Sequence, residues 1–419
     1  MISLQRLRDD PEAIRDGARK KGEEAPVAEI LELDRRAREL RSEMESLRSE
    51  QKKGSKVVAG GSPDREAMKA LKDRIQTLEG EVGRVEGELK TLLLYVPNPP
   101  HESVPVGVDE TGNVCVRTEG AKPSFSFPPK AHYDFGMDLG LFDFTRAAKL
   151  SGARFAVLRG WGPRLQRALI AYMADVAKGN GYEELSVPYL VRRDMMVGTA
   201  NLPKFEDDAF HSDDDLFLIP TAEVPVTNFY RDEILSETDL PLAHFAHTPC
   251  FRREAGSAGK DTRGFIRLHQ FDKVELVRFV HPATSLEELE LLTSHAEAVL
   301  KGLGLHYRVL SMCTGDMGFA QWKKYDLEAW APGMNAYLEV SSCSTFADFQ
   351  ARRAGLRYRD AKTGKVEYLH TLNGSALAVP RTLVAILENY QQEDGSVSIP
   401  PVLQPYLGIT RLDAAGAAS

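Results

Sequence analysis

Apolar residues fall at Ile30, Leu33, Ala37, Leu40, Met44 and Leu47, in steps that alternate between three and four. A second series, Met68, Leu71, Ile75, Leu78, Val82, Val85, Leu89 and Leu92, keeps the same alternation. This is the spacing of a coiled-coil seam, and two seams joined by a short break predict an antiparallel helical hairpin over about residues 27–93. The break is KKGSKVVAGGSPD, residues 52–64, where Gly54, Gly60, Gly61 and Pro63 interrupt helix and Asp64 and Glu66 suit a new first turn. About 30 residues at 1.5 Å rise give an arm roughly 45 Å long. The faces away from the seam mix Arg, Lys, Glu and Asp, as a solvated rod does, and the break adds Lys52, Lys53 and Lys56. Periodicity alone leaves the task of the hairpin open between a dimerisation or spacer element and a binding arm.

After residue 95 the pattern changes. VPNPPHESVPVG reads as a Pro-rich linker and divides the chain into 1–98 and 99–419. Beyond it lies a helix over 163–181 with Leu165, Leu169, Ile170, Met173 and Val176 on one face and Gly179 as its stop. A second helix, SLEELELLTSHAEAVLKGLG, opens on a capping box of Ser285 and Glu288. Strands are predicted at 216–219, 243–250, 272–279, 305–312, 325–330 and 336–343. Consecutive strands often lack an intervening helix, which favours an α+β fold with an antiparallel sheet. Neither G-x-G-x-x-G nor G-x-x-x-x-G-K-[ST] is present, so neither a dinucleotide fold nor a P-loop would hold a nucleotide.

Composition narrows the class. A chain of 419 residues exceeds one ordinary core, and 42% hydrophobic with 27% charged residues describes a globular protein. No apolar run has membrane-spanning length, and the charged start MISLQRLRDD has no signal-peptide core, which points to the cytoplasm and to no membrane partner. The net charge of −8 argues against indiscriminate nucleic-acid binding but leaves room for a local basic surface. Cys115, Cys250, Cys313 and Cys343 are far apart, which suggests neither a Cys-rich zinc site nor a disulfide framework.

The densest chemistry is in CFRREAGSAGKDTRGFIRLHQFDKVEL, residues 250–276. Arg252, Arg253, Lys260, Arg263 and Arg267 crowd a stretch opposed only by Glu254 and Asp261, and Gly256, Ser257, Gly259 and Gly264 imply a loop between two strands. Such a loop fits polyphosphate or nucleic acid, or is a solvated hairpin tip.

F-R-x-E, a loop, then R-x-H-Q-F in this segment resembles motif 2 of class II aminoacyl-tRNA synthetases in its seryl form, of bacterial type. TAEVPVTNFYRDEIL (221–235) is similar to the family's serine-binding stretch. YLEVSSCSTFADFQARR (337–353) and TLNGSALAVPRTLVAILENYQ (371–391) resemble its third signature region, and EELSVPYLVRRDMMVGTANLPKF (183–205) its motif 1. The hairpin matches the family's tRNA-binding arm, so the resemblance runs along almost the entire chain, in order. Two positions depart from the pattern: Arg253 stands where a small residue is common, and Pro380 where Gly or a small residue usually precedes the arginine. Neither change removes a reacting group.

The resemblance implies a tRNA-binding domain at 1–98 and, at 99–419, a class II catalytic domain that forms a homodimer through motif 1 around Pro188. It implies ATP and L-serine as substrates and tRNA(Ser) as acceptor, held by the arm and the motif 2 loop; tRNA(Sec) stays open as a second acceptor. Arg252 and Arg381 are the implied catalytic cations, because activation must hold two anions together. Serine contacts fall on Thr221, Ala222, Glu223, Arg252, Glu275 and Ser375. Which carboxylate takes the ammonium and which the hydroxyl stays open. ATP contacts fall on Arg252, Arg253, Glu254, Arg267, Leu268, Phe271, Glu339, Val340, Ser341, Ser342 and Arg381, with Phe271 and Arg381 sandwiching the base. Glu339 and Ser342 are the implied Mg2+ ligands, with the phosphates supplying the rest. The competing readings are a ligase that loads an amino acid onto a carrier protein, and a silent RNA-binding relative.

Overall fold

The computed structural model describes residues 1–56, 65–255 and 263–418, and the chain divides into two units, Met1–Pro99 and Pro100–Ser419. In the first unit, the side chains of Ser3 and Asp10 each accept a backbone amide and start two short helices, α1 (Leu4–Asp9) and α2 (Pro11–Lys20). The two seams form α3 (Val27–Lys56) and α4 (Arg65–Leu93), which pack together as a hairpin. Ala37, Leu40, Leu78, Val82 and Val85 are its buried core, with Leu33, Met44 and Leu47 packed against them. Ion pairs such as Arg48–Glu79 and Arg74–Glu43 cross between the helices, but their side chains are about half exposed. Exposed pairs contribute about 0–1 kcal/mol each, against about 1.5–3 kcal/mol for a fully buried leucine, so the apolar seam carries the stability. The break at residues 57–64, with Gly60, Gly61, Pro63 and Asp64, lies outside the described residues.

The Pro-rich stretch differs from its sequence reading. Val96 and Asn98 are buried, and Pro99 sits so close to Gly17 of α2 that a Cβ there would lie 2.6 Å from it. Proline rings cover apolar surface as well as they break helices, so the first half of the presumed linker is packed structure.

The second unit is built on an eight-stranded sheet. Its strands are β1 (Val114–Glu119), β2 (Glu183–Glu184), β3 (Leu242–Phe251), β4 (Gln270–Val280), β5 (Tyr307–Ser311), β6 (Lys323–Ala331), β7 (Ala336–Thr345) and β8 (His370–Ala378). The spatial order is β1-β5-β6-β7-β8-β4-β3-β2, antiparallel throughout except for the short β2–β3 pair. Three helices, α5 (Gly162–Gly179), α6 (Ser285–Gly302) and α7 (Val379–Tyr390), pack on it and supply buried residues such as Leu169, Leu292 and Leu383 to the main core. The predicted α+β architecture is therefore present.

Two helix signals act differently from expectation. The capping box does not form: Thr284 is the cap, Ser285 bonds Thr345 at 2.9 Å, and Glu288 is taken by Arg278 at 2.6 Å. Tertiary partners thus claimed both side chains. Helix α5 runs through Gly179, and the left-handed residue beyond it is Gly181, with φ of +83°. Among the described residues no helix is long and apolar enough to cross a membrane.

Candidate active site

Strands β3 and β4 pair from Leu242↔Phe279 to Phe251↔Gln270. One step beyond, the Arg252 amide donates to the His269 carbonyl and His269 Nδ1 donates back to the Arg252 carbonyl, each at 2.9 Å. The ladder therefore extends to Arg252 and fixes its backbone at the mouth of the hairpin. Its Nε donates to the Pro220 carbonyl at 3.2 Å, and its guanidinium lies 5.2 Å from the Phe271 ring centroid. Gly256, Ser257, Gly259, Lys260 and Asp261 lie outside the described residues.

Arg252 opens onto a cavity of about 430 Å³. Phe271 and Glu275 reach it from β4, Glu339, Val340, Ser341 and Ser342 from β7, Ser375 from β8, and Arg381 from the first turn of α7. Thr221, Glu223, Glu254, Arg267 and Leu268 complete the set implied by the sequence. Two implied residues are elsewhere. Ala222 is fully buried in an apolar cluster with Val226 and Ala246, and Arg253 is outside the lining, its amide bonded to the Asp208 carbonyl at 3.0 Å.

Two irregularities in the sheet make this convergence possible. Residues three apart on a regular strand point to opposite faces, so Glu339 and Ser342 could not share one. Here Ser342 pairs with Asp326 and Glu339 with Glu328, so one extra residue is inserted in β7 between Glu339 and Ser341. That bulge flips the alternation and brings Glu339 and Ser342 to the same side. In β8, Ser375 pairs with Glu275 and Ala378 with Lys273, again one residue too many, and Leu377 takes φ of +114°. The second bulge turns the chain into α7, where Arg381 Nε donates to the Ile266 carbonyl (3.3 Å) and Nη1 to the Glu339 carbonyl (2.8 Å).

The charges alternate around the cavity. Glu275 is paired with Lys273 and accepts from Ser375 Oγ at 3.3 Å. Glu254 is held by Arg267 at 2.6 Å. Glu223 instead accepts from the neutral amide of Gln350 at 2.7 Å, and Gln350 in turn accepts from Thr371 at 2.7 Å. Burial, then the like charge of Glu275, push the Glu223 carboxyl up to about 7. Burial also raises Asp326, to about 7, despite Lys324 at 2.9 Å. For Glu339 burial pushes upward too, but Arg381, Lys324, Arg252 and Lys273 outweigh it and hold the carboxyl below its usual range. Glu339 is thus an anion facing the hollow, with a side chain that is 44% exposed.

Lys273, Lys324, Gln350 and Asn373 are not singled out by the sequence motifs, yet Lys273, Lys324 and Asn373 line the cavity and Gln350 orients Glu223. The one signal in the chain was alternation: Lys273 with Glu275, and Lys324 with Asp326, stand two apart on strands and so share a face. Among the described residues no group of three or more His, Cys, Asp or Glu is arranged to hold a metal ion.

An antiparallel sheet with this cleft defines a class II aminoacyl-tRNA synthetase. Residues 204–390 match the family model of the tRNA synthetase class II core domain (G, H, P, S and T), and residues 1–100 match the seryl-tRNA synthetase N-terminal domain. A serine–tRNA ligase of Thermomicrobium roseum is 54% identical over 97% of this chain and 94% of its own. Among solved structures, seryl-tRNA synthetase from Pyrococcus horikoshii complexed with ATP superposes with a TM-score of 0.93 at 38% identity, over 99% of each chain. The cytoplasmic serine–tRNA ligase of Naegleria fowleri in complex with AMP gives 0.88 at 31% identity, again over 99% of each. The chain belongs to the seryl-tRNA synthetase family.

Proposed function

We propose that this chain is an aminoacyl-tRNA ligase of the cytoplasm, which activates L-serine with ATP to seryl-adenylate and pyrophosphate and then transfers the seryl group to a ribose hydroxyl at the 3' end of tRNA(Ser), releasing AMP. The observation that carries the reading is the shared hollow of Arg252, Glu275 and Glu339 in a chain of this family. Activation brings the serine carboxylate in line with the α-phosphorus of ATP while pyrophosphate leaves, so the site must neutralise adjacent anions. Arg252 offers a fork to both the carboxylate and the α-phosphate, and Arg381 a second cation. Phe271 and Arg381 supply flat surfaces for adenine. Glu339 and Ser342, brought to one face by the bulge, suit a magnesium ion that takes few protein oxygens and completes its shell with phosphate and water. That ion would neutralise phosphate charge as pyrophosphate departs.

For serine, Glu223 takes the ammonium and Glu275 with Ser375 takes the hydroxyl. Glu275 already faces the Lys273 ammonium, whereas Glu223 has only an amide donor and gains most from a cation. A hydroxyl held this way rejects alanine by about 10⁴ or more.

Pyrophosphate exchange across the amino acids tests the core claim. Exchange that depends on serine is expected, and Arg252→Lys should lower it by about 10²-fold or more, since a point charge cannot replace the fork. Exchange indifferent to serine would remove the assignment.

The hairpin is the tRNA arm in this reading. Replacing residues 42–80 by a short Gly-Ser turn keeps the buried base of the hairpin, including Leu40 and Val82. The shortened protein should retain exchange and lose charging of tRNA; charging at the full rate would relieve the arm of that role.

The Glu223 assignment has a pH signature. Only the ionised carboxyl attracts ammonium, and with its titration near 7 the serine KM should fall about tenfold from pH 6 to pH 8. Glu223→Gln should raise KM and flatten the profile. A flat profile in the unaltered protein would assign the ammonium elsewhere.

The segment around Pro188 that resembles motif 1 exposes Tyr189 and Leu190, 44% and 48% accessible, as an interface between two copies would. Light scattering at micromolar concentration should give twice 46.5 kDa; a monomer mass would rule out a stable homodimer.

A further inference from the structure

Away from the proposed chemistry, His132 and Glu388 form an ionisable pair whose side chains are both fully buried. Glu388 Oε1 accepts from the His132 backbone amide at 2.8 Å and from Nδ1 at 3.0 Å. His132 Nε2 accepts the backbone amide of Phe265 at 3.1 Å. A backbone N–H can only donate, so Nε2 is the bare nitrogen and Nδ1 carries the proton. The other Glu388 oxygen accepts the Met334 amide at 3.1 Å. Gly264 lies against the ring with φ of +63°, and a Cβ there would stand 2.1 Å from Nε2.

These bonds tie three parts of the site together. Phe265 begins the run 265–268 that lines the cavity. Glu388 lies on α7, two turns beyond Arg381, which itself grips the Ile266 carbonyl. Met334 sits in the turn just before β7, the strand that carries Glu339. The returning limb of the motif 2 loop is therefore bound to α7 at two heights, directly through Arg381 and through His132 to Glu388. We propose that His132 is a positioning residue for the ATP half of the site. It sets the height of residues 265–268, so that Ile266 meets Arg381 and Arg267 meets Glu254. It touches no substrate. The proposal rests on the reading of the cavity as the adenylation site.

The test is pyrophosphate exchange by the full chain, with ATP and serine titrated separately, for the unaltered protein and for His132→Gln, His132→Asn and Gly264→Ala. Glutamine can set an amide oxygen near the Nε2 position and still accept from Phe265. Asparagine reaches only to the Nδ1 position and leaves the Phe265 amide without an acceptor. His132→Asn should raise the ATP KM about tenfold with the serine KM within about twofold, and His132→Gln should recover most of the loss. Gly264→Ala keeps both members of the pair in the sequence but forces the loop and the His132 ring apart at the same contact, and should also raise the ATP KM. Equal effects of Asn and Gln, with equal loss of melting temperature, would show that the ring only fills space and overturn the proposal. So would an unchanged ATP KM in Gly264→Ala, or a serine KM that rises as far as that of ATP. An unaltered protein without serine-dependent exchange would sink the adenylation reading and this role with it, whereas an active one with equivalent variants sinks the role alone.

Discussion

Charge balance within one hollow is the constraint on which the catalytic unit depends. Arg252, Lys273, Lys324 and Arg381 stand among Glu223, Glu275 and Glu339 on its lining, with Asp326 buried beside Lys324, in a setting where unpaired charge is costly. The pairing is deliberately uneven. Glu275 has a cation beside it, Glu339 has several at longer range, and Glu223 has a neutral amide. The carboxyls are therefore not equivalent. One is held ionised and faces the hollow, while Glu223 and Asp326 are raised to about 7 by burial. A substrate that brings an ammonium, a carboxylate and phosphates meets a different partner for each.

This unevenness is a product of the sheet. An antiparallel sheet delivers side chains to one face at every second position, which would separate Glu339 from Ser342. One inserted residue in β7 and one in β8 re-aim the chain where the cavity needs it, and the second stores strain at Leu377 beside Ser375. Hydrogen bonds then hold the irregular segments: Ser341 Oγ donates to the Ser375 carbonyl at 2.6 Å in the interior, and Arg381 joins Ile266 to Glu339 nearer the opening. Binding geometry is thus set by backbone register more than by side-chain freedom.

The N-terminal unit follows a simpler physics. Its seam is apolar at nearly every expected position, and its surface ion pairs add solubility more than stability. The hairpin needs no partner to bury its core, which leaves its charged faces available for recognition.

Local periodicity determined the hairpin and the two long helices by itself, because a seam of alternating threes and fours has one way to bury its apolar face; of the six expected strands five lie in the large sheet, and the sixth, Leu216–Leu218, pairs separately with Leu190–Arg192. The resemblance of the motif strings to a known family pointed to Arg252, Phe271, Glu275, Glu339 and Arg381, and all five line the cavity. Only the tertiary structure decided that Glu339 and Ser342 share a face, that Gln350 serves Glu223, and that His132 reaches Phe265. It also took Ser285 and Glu288 out of their capping box and folded Val96–Pro99 into the first unit. Each of these turns on a partner far away along the chain or on a one-residue slip in register, and neither leaves a trace in the local alternation of polar and apolar positions.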